Sequence, residues 1–152
     1  IGVTEGIVKG DLVIDENGEP QIIELALRLS GGWFASDQII AASGVDLTDV
    51  VIKQSLNLEI TKSMLTPKFN RSTSVRYWFP SPGKIISIKG EDKIKNLPGL
   101  LKYGFFRKAG DEQPIVKMHS DRFGYIIVEG MDRTESMSRV KKALDLLIIE
   151  VE

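Results

Sequence analysis

Asn17-Gly18 sits between two apolar-rich runs, Leu12-Val13-Ile14 and Ile22-Ile23-Glu24-Leu25, and constrains the front of the chain more than any other feature. Asn and Gly accept the positive φ angles of a two-residue type I′ turn, so the pair predicts a hairpin of fixed register. In that register Glu16 faces Glu19, Ile14 faces Gln21, and Asp11 stands opposite Glu24. Directly opposed side chains have Cβ atoms about 4.5–5.5 Å apart, and two like charges at that distance destabilise a sheet. A cation between them would relieve the repulsion. Alternation along the strand then puts Ala26 and Arg28 on the face of Glu24.

A solvent-exposed acidic hairpin is the plainest use of these residues, because charged side chains mostly stay in water. The neighbours argue otherwise. Leu12, Ile14, Ile23 and Leu25 fall on one face, with Val13 and Ile22 beside the acids on the other, and strands apolar on both faces are normally covered on both. An EF-hand loop is a poor match: Val13 would occupy the first ligand position, Pro20 falls inside the loop, and the flanks read as strands.

Asp11, the run Ile23-Glu24-Leu25-Ala26-Leu27-Arg28 and the following Ser30-Gly31-Gly32 resemble the metal-binding end of the ATP-grasp superfamily, with Glu-x-Asn-x-Arg as its usual pattern. The likeness is greatest to carboxylate–amine ligases and carbamoyl phosphate synthase-like members. It implies Mg²⁺, or Mn²⁺ in its place, bound with ATP by Asp11 and Glu24, and Arg28 stabilising the transferred phosphoryl or acyl-phosphate group. Ser30, Gly31 and Gly32 would offer backbone N–H groups to a substrate oxygen, or merely turn the chain. Ala26 departs from the pattern, since it replaces the amide and cannot coordinate, which puts a second metal in doubt.

The resemblance further implies an α+β fold, an antiparallel or mixed sheet with packed helices. Residues 1–66 would be the C-terminal part of an ATP-grasp catalytic domain, and residues 67–152 a small α+β closing subdomain. The activity implied is ADP-forming: a carboxylate is activated as an acyl phosphate and attacked by an amine. The N-terminal half of such an enzyme, with its lysines and Gly-rich loop, is absent from this sequence, so the chain is expected to be an inactive fragment. A non-catalytic regulatory or assembly module on the same scaffold is the alternative.

Composition narrows the partners. The chain has 152 residues, 42% of them hydrophobic, with a net charge of −1 and no cysteine. It can bury a core, has no field that gathers nucleic acid, and cannot use disulfides or thiolate metal sites. No apolar run approaches the roughly 20 residues of a membrane helix. The expected partners are small carboxylate and amine substrates, the missing half of the enzyme and a second copy in a homodimer, with neither nucleic acid nor membrane. ATP dependence implies the cytoplasm.

Further along, helices are expected over 33–43, ended by Gly44, and from Asp46 or Thr48 to Leu56, with 61–70 as a connection. Strands follow at 74–79, 83–88, 100–107 and 123–129, and 148–151 could close as a last one. A short helix fits 91–97 before Pro98-Gly99, and Asp132 with Glu135 has capping-box spacing for a final helix. Ser120, His119 and Asp121 adjoin on one loop and cannot form a catalytic triad. Trp33 reads as core, while Arg76 and Arg122 are candidate cations for a substrate carboxylate.

Overall fold

The computed structural model describes residues 2–152, which form two compact units, Ile1–Phe69 and Asn70–Glu152. In the first unit β1 (Lys9–Ile14) and β2 (Pro20–Ala26) make an antiparallel hairpin. A π-helical turn over Phe34–Gln38 runs directly into α1 (Ile39–Ser43), which stops at Gly44 in the left-handed region. In α2 (Leu47–Ser55) the Asp46 carboxylate accepts from the N–H groups of Thr48 and Asp49, so Asp46 rather than Thr48 is the cap. A 3₁₀ turn, Lys62–Leu65, lies within the expected connection. The buried residues here are Ala35, Gln38, Val45 and Val50.

The second unit is α+β with every strand pair antiparallel. Its strands are β3 (Ser72–Trp78), β4 (Gly83–Lys89), β5 (Leu100–Phe105), β6 (Glu112–Gln113), β7 (Gly124–Gly130) and β8 (Ile148–Val151), arranged as β3-β7-β5 and β6-β4-β8. The helices are α3 (Glu91–Lys95) and α4 (Arg133–Leu146), the latter capped by Asp132 on the N–H of Glu135. Trp78, Phe123, Ile126 and Val128 pack with Val140, Ala143 and Leu147 in one core.

The alternation in β3 has the opposite sense to the one its apolar residues suggest. Ser74 and Trp78 are buried, while Val75 and Tyr77 are half-buried and Phe79, just past the strand, is exposed. Ser72 and Ser74 face α4 because the Ser136 hydroxyl, itself fully buried, bonds to both at 2.9 Å. Hydrogen bonding thus lets two serines occupy the helix-covered face without an unsatisfied group.

Candidate functional site

Asp11 and Glu24 do stand opposite each other, but the hairpin reaches that pairing by a different route. The turn is not type I′: among the described residues the only non-glycine ones with positive φ are Trp33 and Asn57, so Asn17 lacks the angle that turn needs. Gly18 donates to Asp15 O and adopts φ 84°, while Asp15 N donates to Glu19 O. This is a type I turn followed by a left-handed glycine, a three-residue hairpin loop with Ile14 paired to Pro20. The Asp15 carboxylate fixes it by accepting from the N–H groups of Asn17 and Glu19 and from Gln21 Nε2. Those bonds hold its pKa below the ordinary value, the Glu19 N–H most of all.

The loop shifts the register by one, and a bulge between Asp11 and Leu12 shifts it back. Leu12 pairs with Ile22, and Ile23 becomes the extra residue. Ile22 therefore moves to the face of Leu12 and Ile14, away from the acids.

Lys9 pairs with Ala26, one step along the same face, and its ammonium bonds to Asp11 Oδ2. The cation beside the acids is thus a lysine of the strand itself. The Glu24 carboxylate has no hydrogen bond or ion pair among the described residues, and none of these residues form a group of three or more potential metal-ligating side chains. Two carboxylates and one ammonium make up the row.

Arg28 does not continue that row. Strand β2 ends at Ala26, and Arg28 N turns back onto Ala26 O at 2.9 Å. Its guanidinium donates to Leu29 O and lines a cavity of about 500 Å³ with Glu5, Gln54 and Ser55, a cavity that neither Asp11 nor Glu24 lines. Ser30 is half-buried. Gly31 O accepts from Phe34 N, and Gly32 and Trp33 are both left-handed, so this segment works as a turn into the π-helix. Trp33, which precedes the π-helix with a left-handed backbone, is half-buried rather than core.

The hairpin departs from expectation most in its surroundings. Leu12, Val13, Ile14, Ile22 and Leu25 are all exposed, and Ile23 is 67% exposed. Neither face is covered in this chain. His119 lies in an exposed 3₁₀ turn whose Asp121 caps the N–H groups of Lys117 and Met118, as a loop residue should. Arg76 donates to Val75 O and approaches Met137 Sδ.

Residues 76–152 match the family described as L-amino acid ligase C-terminal domain 2. No curated protein sequence matches the chain. Among solved structures it resembles an L-amino acid ligase from Bacillus licheniformis, with TM-score 0.80 and 20% identity over 99% of this chain and 39% of that one. A phosphoribosylglycinamide synthetase from Anaerococcus prevotii gives 0.79 and 18% over 95% and 37%. A biotin carboxylase–beta-gamma-ATP complex from Campylobacter jejuni gives 0.66 and 22% over 97% and 32%. The chain therefore spans under two fifths of each of these proteins, and the shared feature is the fold, that of the C-terminal part of ATP-grasp enzymes. No described helix is long and apolar enough to cross a membrane.

Proposed function

Because the chain belongs to the L-amino acid ligase C-terminal domain 2 family, we propose that it is part of an ATP-dependent, ADP-forming ligase that joins a carboxylate to an amine. The observation that carries this reading is the opposed pair Asp11–Glu24, with Arg28 following two residues after β2 ends at Ala26. Mg²⁺ is usually held by one or two carboxylates together with substrate phosphates, and Mn²⁺ accepts similar oxygen donors, so the donor set fits. Asp11 and Glu24 would hold the ion, which when bound offsets charge on the phosphate oxygens. Glu24 enters with free lone pairs, whereas Asp11 must give up Lys9. Arg28 would pair with the acyl-phosphate or transferring phosphoryl oxygens through its planar fork. Ser30, Gly31 and Gly32 would contact substrate only if their N–H groups were turned toward it.

The uncovered apolar hairpin supports a further element of the reading. Its two faces would be sheathed by the remainder of the enzyme, which also supplies the other nucleotide contacts. Substrates would be a small carboxylate and an amine, the compartment cytoplasmic and a homodimer compatible. The second reading, a non-catalytic module, is favoured by Ala26 and by the Lys9–Asp11 ion pair, which together leave few ligands free.

ADP release by the complete enzyme separates the two. Glu24→Gln and Arg28→Ala are each expected to lower kcat by about a hundredfold or more, with the folding transition unchanged. Undiminished turnover in Glu24→Gln would refute the ligase assignment of this hairpin.

A further inference from the structure

One cation of the second unit is held in place without being neutralised. The Arg122 guanidinium carbon lies 3.9 Å from the centroid of the Tyr77 ring. The residue is half-buried, and among the described residues no carboxylate or carbonyl accepts a hydrogen bond from its side chain. Two other arginines of the unit are used up: Arg107, which donates to the carbonyls of Ser120, Asp121 and Arg122, and Arg139, which donates to Glu129 O and Glu135. The adjacent Asp121 carboxylate is turned to the N–H groups of Lys117 and Met118.

The mount of Arg122 is rigid. Arg107 Nη1 grips its carbonyl at 2.7 Å, and Phe123 next to it is fully buried. Tyr77 sits on the β3 face opposite the buried Trp78, and the Phe79 ring, 60% exposed, lies 6.5 Å from that of Tyr77. A stacked guanidinium has lost little remaining freedom and still presents its fork edge, which matches a carboxylate bidentately. Phe79 adds exposed apolar surface beside the Tyr77 ring on which that charge is stacked.

We propose that Arg122, stacked on the Tyr77 ring that Phe79 adjoins, binds the carboxylate of a small ligand that also carries an apolar or aromatic group. Phosphate would satisfy the same fork but gains nothing from the aromatic wall. That the ligand is an amino-acid substrate of the ligase rests on the function proposed above, whereas the anion site does not.

The test is an NMR titration of the 152-residue chain with N-acetyl-L-phenylalanine, its neutral amide and inorganic phosphate, observing the Arg122 and Tyr77 side chains. Saturable shifts are expected with the carboxylate and not with the amide. Arg122→Gln should weaken binding about tenfold or more, Arg122→Lys should restore little of it, and Tyr77→Leu should weaken it too, with the β7 amide signals unmoved. Equal binding of the amide, tighter binding of phosphate, full affinity in Arg122→Gln, or no shift at millimolar ligand would overturn the site. Glu24→Gln should leave this titration intact. If the site binds as expected while Glu24→Gln enzyme still releases ADP, the ligase reading fails and the carboxylate site stands.

Discussion

The two units treat their apolar residues in opposite ways. In Asn70–Glu152 the central strand β7 is buried along almost its whole length, with Ile126, Ile127, Val128 and the preceding Phe123 fully inaccessible and α4 covering one sheet face. In Ile1–Phe69 the most apolar stretch, the hairpin, is a two-stranded ribbon whose isoleucines and leucines face water. A lone hairpin is marginally stable, and a contiguous exposed apolar patch marks a surface meant to be covered. The second unit therefore carries its own core, while the hairpin of the first leaves its apolar side chains exposed.

Substitutions sharpen that contrast. Phe123→Ala empties a fully buried site and is expected to destabilise the chain by about 3–5 kcal/mol in denaturant unfolding. Asp132→Ala removes the cap of α4 and should lower the same transition by about 1 kcal/mol. Ile23→Ser alters only an exposed bulge residue and should stay within about 0.5 kcal/mol in this chain. Within the complete enzyme the same change should become destabilising by about 1–3 kcal/mol, and an equally small effect there would break the comparison.

Acid gives the smallest effect and reaches both units. Asp15 and Asp121 each have a depressed pKa, caused chiefly by the N–H of Glu19 and of Lys117 respectively. A depressed carboxylate contributes stability that is fully present above its ordinary value of 3.8 and is lost as pH falls through the lower folded value. Protection of the Asn17, Glu19, Lys117 and Met118 amides, taken relative to the intrinsic exchange rate at each pH, should fall below about pH 4 and stay constant above it. Protection that already declines between neutral pH and about pH 5, or that survives unchanged well below about pH 4, would contradict these cap assignments.

Much of the second unit was legible because its signals are local: β-branched and aromatic runs, Pro98-Gly99 as a stop, and Asp132 with Glu135 as a start. The sense of β3 was not, since Ser72 and Ser74 are inward for a partner, Ser136, more than sixty residues away. The hairpin shows how a correct pairing can come from the wrong turn. Asn17-Gly18 suggests type I′, yet Asp15 at the first turn position and Gly18 at the fourth also fit type I, and the Asp15 carboxylate decides between them. The bulge at Ile23 then restores Asp11 to Glu24, and nothing local in the sequence announces a bulge there. Arg28 was misplaced for a related reason: alternation holds only while the strand lasts, and β2 stops at Ala26. Exposure of the hairpin is unreadable, because an apolar run does not say what lies against it.

A double-mutant cycle on Mn²⁺–nucleotide affinity in the complete enzyme, using Asp11→Asn, Glu24→Gln and the pair, asks whether the two opposed carboxylates share one ion. Joint coordination predicts that either single change loses most of the affinity and that the double loses little more, a coupling of about 1–3 kcal/mol. Losses that simply add, or affinity that survives both changes, would contradict the account.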